Sequence, residues 1–411
     1  MRGNELLEKM ELVDPAYVAA ADAPVKKGTP RWLRWGAMAA CLCLVIGGIW
    51  AAGRRSGEPQ PGPGSGEGPG TVNGLERITV PALQTGEMGY ESLLCYDISE
   101  YRDGNPWRED MTLTTLPVYR NGSYDASGAG IPLGLGEEEI RARLEAAAAA
   151  WGVEVTATEL LTDDGFLTGT PIVTGIEGQT ADGGRITAYA DGTARLLWIG
   201  EAPEEYRLSL NGRTDAQAEE ALRSLTERYG GGMDLSQPRY VSYERYNFAG
   251  EASRNWDTCF VYDAAGDDAQ AILNYSFRRL SFYPEGEEGD GGIHWRDSLL
   301  TAEKLGDYPV ISLAEATGRL KSGQFQTSAP AEYLPQGGIG EERIGMAELV
   351  YRTGPNEEVL LPYYRFYVLL PEAAGDADAA PGLKVYGACY VPAIEEEYLT
   401  ALPTYDGGFA G

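Results

Sequence analysis

Residues 137–161, EEEIRARLEAAAAAWGVEVTATELL, decide the fold class. Glu137–Trp151 predicts a helix, because it opens with acidic residues, continues through an alanine run and stops at Gly152. Polar and apolar residues then alternate over Val153–Leu160, which is typical of a strand with one buried face. This segment therefore predicts a helix that leads directly into a sheet.

The neighbouring segments add two sheet features. Ile186–Ala190 and Thr193–Ile199 are strand-like and flank Asp191-Gly192, a dipeptide that signals a type I′ hairpin turn. Upstream, Thr112–Tyr119 (TLTTLPVY) predicts a strand that contains a proline. Because proline cannot donate a ladder hydrogen bond, we expect this strand at the edge of a sheet.

A helix followed by antiparallel strands recurs along the chain. The further predicted helices are Asp215–Tyr229, capped by Thr214, and Leu313–Lys321, capped by Ser312. The predicted strands that follow them are Tyr240–Phe248, Cys259–Tyr262, Ile272–Tyr283, Ala347–Tyr351, Tyr363–Leu370 and Lys384–Val391. This order favours an α+β fold of repeated helix-plus-antiparallel-sheet units and raises the hypothesis of divergent duplication. The three candidate copies are 137–199, 214–283 and 312–391.

An uncharged run near the N-terminus, Trp35–Gly53 (WGAMAACLCLVIGGIWAAG), is long enough to cross a bilayer as a helix. At helical rise it covers roughly 28 Å, close to the hydrocarbon thickness of a membrane. More basic residues precede the run than follow it, which favours an N-terminus in the cytoplasm and a C-terminal domain outside the cell. We expect a single-pass transmembrane helix at 35–53, with the lipid bilayer as its partner. A cleaved signal ending near Ala51-Ala52-Gly53 and a buried soluble helix are the alternatives.

The segments on either side of this run have distinct roles. The predicted cytoplasmic tail, residues 1–34, has a helical face formed by Leu6, Leu7 and Met10, which is our candidate partner-binding face. A tail that lies inert along the membrane is the alternative. Residues 54–76 form a Gly/Pro-rich linker that cannot bury a core. The rest of the chain divides into predicted α+β units at 77–210, 211–300 and 301–411.

The predicted membrane helix divides the charge unequally. The chain has 33 basic and 62 acidic residues and a net charge of −29, and residues 1–35 hold six of the basic and five of the acidic ones. The part beyond Gly53 is therefore strongly acidic. Such a surface repels polyanions, which excludes nucleic acid as a partner, and it is typical of a soluble extracellular domain.

Few side chains suit catalysis or cofactor binding. His294 (GGIHWRD) is the only histidine, and we expect it at the end of an acidic loop in a surface or packing role. A multi-histidine zinc site is impossible, and neither a P-loop nor a dinucleotide-binding motif occurs. We predict no catalytic residue, no metal and no cofactor. The acidic loops Asp163-Asp164-Gly165, Asp263–Asp268 and Glu285–Asp290 lack the calcium-loop pattern and are expected to be solvated.

Cysteine and the aromatic residues give three further predictions. Cys95, Cys259 and Cys389 lie in strand-like contexts, where we expect buried free thiols rather than a disulfide framework. Trp107 follows a turn at Asn105-Pro106 and is expected to pack in the core. Tyrosines are frequent on predicted strands, which is typical of half-exposed faces that bind peptide or carbohydrate, and also of ordinary antiparallel sheets. The tyrosines concerned are Tyr240, Tyr243, Tyr246, Tyr283, Tyr363, Tyr364 and Tyr367.

Several long segments resemble those of a group of uncharacterised, single-pass, membrane-anchored extracytoplasmic proteins from Gram-positive gut bacteria. The similar segments are ELLEKMELVDPAYVAAAD and RWLRWGAMAACLCLV near the N-terminus, then residues 96–120, 347–354, 361–372 and 382–399. This resemblance implies the topology and a bacterial origin, and it implies no activity and no functional residues. By pattern, the helix-plus-sheet units also resemble the PepSY-type and YycI-type modules of extracytoplasmic regulators.

These observations favour a membrane-anchored extracytoplasmic protein that binds or senses a protein or peptide partner without catalysis. Signalling through the tail would make it an envelope regulator. One alternative is an anchored carboxylate-dependent hydrolase, which needs two acids about 5–10 Å apart in a deep aromatic-lined cleft. A passive surface scaffold is the other alternative.

Overall fold

Antiparallel sheets and four α-helices form the described part of this protein. The computed structural model describes residues 70–80, 95–96, 98, 104–165, 171–199, 206, 214–243, 246, 250, 258–283, 291–327, 329, 331–335, 338–374 and 379–405. These residues belong to one compact unit, Gly68–Gly411.

The secondary structure elements are numbered in chain order. The helices are α1 (Glu137–Trp151), α2 (Asp215–Tyr229), α3 (Asp268–Phe277) and α4 (Leu313–Lys321). The first nine strands are β1 (Thr71–Val72), β2 (Leu75–Glu76), β3 (Cys95–Tyr96), β4 (Thr115–Asn121), β5 (Val155–Asp163), β6 (Ile172–Thr180), β7 (Arg185–Tyr189), β8 (Ala194–Leu197) and β9 (Pro238–Tyr243). The others are β10 (Thr258–Asp263), β11 (Arg278–Tyr283), β12 (Gly292–Asp297), β13 (Ala302–Pro309), β14 (Gln326–Thr327), β15 (Ile344–Tyr351), β16 (Val359–Leu360), β17 (Pro362–Leu369) and β18 (Val385–Pro392).

Eight strands form the largest sheet, in the antiparallel order β5-β6-β7-β8-β12-β11-β10-β9. Its two halves share a strand order, because α1 leads into β5–β8 and α2 leads into β9–β12, although α3 is inserted between β10 and β11. The last strand of each half pairs with the other in the middle of the sheet, where Leu196 lies opposite Ile293. The α+β class with antiparallel sheets is confirmed. The predicted boundary at 210/211 falls between the two halves of one continuous sheet.

The C-terminal part of the chain has a different strand order. One sheet runs β13-β4-β16, and another runs β14-β18-β17-β15, with β3 also paired to β18. We call these two the C-terminal sheets. The first strand after α4 therefore pairs with the last strand of the chain, Gln326 lying opposite Tyr390. Because this is not the meander of the other two segments, the shared topology that motivates the duplication hypothesis is limited to the two halves of the eight-stranded sheet.

Local capping signals place three helices at the predicted residues. α1 ends at Gly152, whose φ of 66° is the left-handed conformation that glycine adopts without strain. Thr214 accepts a hydrogen bond from the backbone N–H of Gln217 at 3.4 Å. Ser312 accepts one from the N–H of Glu315 at 3.2 Å. These side chains satisfy backbone donors that have no partner within the helix, so α2 and α4 begin where predicted.

The prediction of one continuous strand over Ile272–Tyr283 is wrong in its first half. Residues up to Phe277 belong to α3, and only Arg278–Tyr283 forms a strand. The Asp267 side chain accepts a hydrogen bond from the backbone N–H of Gln270 at 2.8 Å and caps the helix. This cap, and burial of the following apolar residues, override the strand preference of a sequence rich in aromatic residues.

Two turn and edge predictions are corrected in detail. The hairpin at Asp191-Gly192 forms, but only Gly192 has a positive φ, 85°, so the turn is type I with a glycine bulge rather than type I′. β4 lies between β13 and β16 rather than at an edge. However, β16 pairs only with Tyr119 and Arg120, so Pro117 faces a ladder partner on the β13 side alone. This arrangement explains why proline is tolerated there.

Three hydrophobic clusters hold these layers together. In the first, α1 and α2 cover one face of the eight-stranded sheet, with Leu196 fully buried among them. The second lies between α4 and the sheet that contains β18, around Leu320 and Val391. The third joins the opposite face of the eight-stranded sheet at β9 and β10 to the C-terminal sheet, through residues such as Phe260 and Tyr363.

The predicted membrane segment and tail lie outside the described residues. This applies to Trp35–Gly53 and to the tail residues Leu6, Leu7 and Met10. Within the described ranges, no helix has the length and apolar character required to span a bilayer.

Candidate binding face

The register of the eight-stranded sheet defines one row of side chains that crosses every strand. Each residue in this row lies directly opposite the next: Glu159, Glu177, Thr187, Arg195, His294, Ser281, Phe260 and Val241. The alternate positions, such as Ile186, Leu196 and Ile293, point into the cluster beneath α1 and α2. The row therefore belongs to the face turned away from these two helices. We call this side the outer face.

The outer face has two regions of different character. The covered face consists of Val241, Phe260 and Tyr262, which are buried against the C-terminal sheets. The open face consists of Glu159, Glu177, Arg185, Thr187, Tyr189, Arg195, Ser281, Tyr283, His294 and Arg296. Most of these open-face residues keep part of their surface in solvent, and Tyr283 is 38% exposed.

Arg195 lies at the middle of the open face. Its side chain is half-buried, and its Nε is buried without a hydrogen-bond partner. None of the ion pairs within the described ranges includes its guanidinium group, whose carbon atom lies 5.9 Å from the centroid of the Tyr189 ring. Because arginine stays charged at any physiological pH, the open face holds an uncompensated positive charge.

His294 lies directly opposite Arg195 and is neutral at physiological pH. Burial, together with the smaller effect of the charges of Arg195 and Arg296, lowers its pKa to about 3. Its ring is 4.3 Å from the ring of Tyr283, centroid to centroid. The two rings form an uncharged platform beside the Arg195 guanidinium.

The acidic residues of the open face lie on β5 and β6. Glu177 is 3.7 Å from Arg185 and accepts a hydrogen bond from Thr187 at 3.5 Å. Glu159, the other acid, lies opposite Glu177 on the edge strand. Among the described residues of the open face, negative charge is therefore confined to one margin, and β7, β8 and β12 carry Arg185, Arg195 and Arg296.

Contacts from the inner side fix the strands that carry the open face. The guanidinium of Arg143 on α1 lies 3.6 Å from the Trp295 ring centroid and donates to the carbonyl of Gly192 at 3.0 Å. The hydroxyl of Tyr206 donates to the carbonyl of Tyr283 at 2.8 Å and also contacts the carbonyl of Gly292. These contacts join α1, the β7–β8 turn, β11 and β12, so the open face is built on rigid elements.

A glycine makes room for one aromatic ring of the open face. Gly175 on β6 lies opposite Tyr189. A Cβ atom at Gly175 would lie 3.3 Å from Cδ1 of the Tyr189 ring and 2.8 Å from the carbonyl oxygen of Ala188. The glycine therefore allows the ring to lie close to the backbone of the neighbouring strand.

The structure changes the interpretation of several residues predicted from sequence. His294 lies on β12 in the middle of the sheet rather than at the end of a loop. Tyr363, Tyr364 and Tyr367 are buried, so their prediction as half-exposed is wrong: their strand is covered on both faces. Tyr283 is the tyrosine of that set which contributes to the open face. Arg195 was not predicted, because no motif marks it.

The cysteine and tryptophan predictions are confirmed where the structure describes them. Cys259 and Cys389 are buried cysteines outside any disulfide, and burial raises the pKa of Cys389 to about 12. The side chain of Cys95 lies outside the described part. Trp107 packs edge-on against Tyr364 with ring centroids 5.7 Å apart.

A cavity of about 290 Å³ lies beside Trp107, and two carboxylates line it. The lining residues are Asn105, Trp107, Arg108, Glu109, Leu313, Met346, Ala347 and Glu348. Glu348 is bound by the guanidinium of Arg365, with N–O distances of 2.6 and 3.1 Å, and by the Tyr367 hydroxyl at 3.3 Å. All three contacts are made by the Oε2 atom of Glu348, so this oxygen belongs to an internal ion pair and not to a reacting group.

The acidic loops have structural roles. Asp263 accepts a hydrogen bond from the backbone N–H of Gln237 at 2.6 Å, and Asp163 accepts one from Gly165 at 2.9 Å. Glu285–Asp290 falls outside the described residues. Across the ranges that the structure covers, no cluster of three or more metal-ligating side chains occurs.

The geometry thus provides a rigid sheet surface with one unpaired arginine, a neutral aromatic platform and acidic residues at one margin. Such a surface can bind a ligand by stacking and by a charge-assisted hydrogen bond. No protein-family model, no curated protein and no solved structure matches this chain.

Proposed function

We propose that this protein is a membrane-anchored, extracytoplasmic binding or sensing protein whose open face binds a protein or peptide partner. The observation that carries the proposal is the contrast along one row of the sheet. Phe260 and Val241 are buried under the C-terminal sheets, whereas Arg195 and His294 keep part of their surface in solvent. Arginine and aromatic residues of this kind dominate the binding energy of many protein interfaces.

The rigidity of the sheet also supports binding. Hydrogen-bonded strands lie on both sides of β8 and β12, which carry Arg195 and His294. A partner that docks there does not have to order the backbone first, which lowers the entropic cost of association.

The anchor and the tail complete the proposal. A helix at 35–53 would hold the acidic domain outside the cell, and Leu6, Leu7 and Met10 would present an apolar face to a cytoplasmic partner. Signal transfer through this tail would make the protein an envelope regulator. Loss of a co-purified cytoplasmic protein when all three residues are changed to Ser supports this role, and unchanged recovery contradicts it.

Site-specific photo-crosslinking in intact cells tests the binding role. A photoreactive amino acid replaces Tyr283 on the open face and, as the matched control, Arg141 on the solvent side of α1, where it pairs with Glu137. We expect discrete crosslinked adducts from position 283 and none from position 141. Equal adducts from both positions, or none from either, would contradict the proposal.

The carboxylate-dependent hydrolase has less support. It requires a carboxylic acid free to donate its proton to a leaving group. In the cavity beside Trp107, Glu348 is instead engaged by Arg365 and Tyr367. Polysaccharide or glycoside cleavage by the purified chain that is lost in Glu348→Gln would revive this alternative.

A further inference from the structure

We infer that the partner of the open face is an acidic peptide segment and that one of its carboxylates pairs with Arg195. This inference rests on the proposed function and names its chemistry. It starts from Arg195, whose buried Nε is a donor without an acceptor in the described part of the chain. Because buried donors are nearly always hydrogen-bonded in native proteins, an orphaned one calls for an acceptor from elsewhere.

The neighbours of Arg195 leave its charge available to a ligand. Thr187 and His294, the residues directly opposite on either side, are uncharged. The nearest acid along the row, Glu177, interacts with Arg185 and Thr187. A planar carboxylate matches the donor geometry of a guanidinium and would neutralise the unpaired charge of Arg195.

The charge of the whole chain makes this position selective. The net charge is −29, so most of the surface repels an acidic peptide. The positive strands around Arg195 are the complementary region of the described surface, while Glu159 and Glu177 at the margin disfavour acids placed further along the row. Attraction at one point and repulsion around it set the register of a bound acidic segment.

The stacking platform favours a peptide over a simple anion. The rings of Tyr283 and His294 lie 4.3 Å apart beside the arginine and offer apolar surface to neighbouring side chains. A phosphate group is bound most often by several converging cationic groups, whereas here the residues directly opposite Arg195, Thr187 and His294, are both uncharged. We therefore assign the carboxylate of Asp or Glu rather than a phosphate.

The test uses the purified 411-residue chain in lipid nanodiscs and capped octapeptide libraries. The fourth position is fixed as Glu, Gln or phosphoserine, and the other positions are randomised without charged residues. We expect capture of the Glu library at low salt, at least about tenfold weaker capture of the Gln library, and loss of the difference at 1 M salt.

Variants locate the contact. Arg195→Gln should reduce capture of the Glu library to the level of the Gln library, and Arg195→Lys should retain part of it, because it keeps the charge without the planar fork. Arg141 is an exposed arginine on α1, and the Arg141→Gln variant should capture the Glu library as the unmodified chain does. The partial activity of Arg195→Lys also guards against a folding defect in Arg195→Gln.

Other outcomes overturn the inference. Equal capture of the Glu and Gln libraries, preference for phosphoserine, or full binding by Arg195→Gln would each contradict an Arg195–carboxylate contact. Crosslinks from position 283 that persist unchanged in Arg195→Gln would leave the open face as a binding surface and reject only its assigned chemistry. Absence of those crosslinks would reject the proposed function itself.

Discussion

The covered face and the open face lie on the same side of one sheet, in one row, and yet the C-terminal sheets bury only the covered face. The inner face of the sheet is uniform, because both halves of the sheet bury apolar residues under α1 and α2. On the outer side the row passes from Arg195 and His294 through Ser281 to Phe260 and Val241. The apolar residues of the inner face hold the sheet against α1 and α2. The residue types on the outer face determine which part of that face the C-terminal sheets cover.

Arginine shows the same difference. On the covered side, Arg279 stacks on Phe260 and Tyr275, with 4.5 and 4.6 Å to the ring centroids, and donates to a backbone carbonyl. On the open side, Arg195 has a buried donor without an acceptor. Arg279 thus packs on the rings of the covered side, whereas the half-buried Arg195 keeps a donor without a partner in the described part of the chain.

The largest expected change in stability comes from a substitution in the covered face. Phe260→Ala should lower the free energy of unfolding by about 3–5 kcal/mol, because it removes a fully buried ring and leaves a cavity between two sheets. The matched control is Ser281→Ala, the next residue in the row, which should change stability by less than about 0.5 kcal/mol. Urea unfolding of the purified chain measures both. A loss below about 1 kcal/mol for Phe260→Ala would show that the C-terminal layer does not cover this half.

A second pair of variants tests the uniform inner face. Leu196 on β8 and Leu280 on β11 are both buried in the cluster beneath α1 and α2. Each leucine-to-alanine change should cost about 3 kcal/mol, whichever half carries it. A loss confined to one half, measured by the same unfolding titration, would contradict a shared core.

A third, smaller effect concerns the protonation of His294. Its pKa in the folded chain is about 3, below the ordinary value of 6.5, so the unfolded chain takes up the proton first as the pH falls. The stabilisation is complete above about pH 6.5 and declines between pH 6.5 and 3. Allowing for partial exposure, we expect a loss of about 1–2 kcal/mol between pH 7 and 5, which His294→Gln should lack.

The same histidine can be followed directly. Because the chain has a single histidine, its imidazole gives one unambiguous set of ring NMR signals. These signals should not titrate between pH 8 and 5. A midpoint near 6.5 would place the ring in water and remove the neutral platform beside Arg195.

The smallest expected change in stability concerns Arg195 on the open face. Arg195→Met removes a charge and a buried donor that has no partner, so the free energy of unfolding should stay within about 0.5 kcal/mol or rise by up to about 1 kcal/mol. Arg141→Met on α1 should also stay within about 0.5 kcal/mol. A loss of several kcal/mol in Arg195→Met would identify Arg195 as a structural residue.

Local signals account for the parts of the fold that the sequence predicts. Glu137–Trp151 and its Gly152 stop, and the caps Thr214 and Ser312, act within one helical turn, so they can be identified without knowing the tertiary structure. α3 was missed because its cap, Asp267, lies in an acidic stretch that also resembles a solvated loop. Its apolar residues suit a strand as well as a buried helix.

The division of the outer face depends on residues far apart in the chain. Phe260 is buried by a sheet that includes Tyr363 and Tyr390, and no local pattern specifies that contact. Alternation around the Asp191-Gly192 turn does place Thr187 and Arg195 on one face. What the sequence cannot show is that His294 pairs with Arg195 across β8 and β12, because this pairing joins the two halves of the sheet.

Hydroxyl-radical footprinting of Tyr283 and Tyr262 tests the central claim most directly. Tyr283 on the open face is 38% exposed, and Tyr262 on the covered face is 2% exposed. In the purified chain Tyr283 should be oxidised much faster than Tyr262, and in native membranes the partner should protect Tyr283 while Tyr262 stays unreactive. Equal, slow oxidation of both tyrosines in the purified chain, or a Tyr283 that is as reactive in native membranes as in isolation, would contradict an open face that binds a partner.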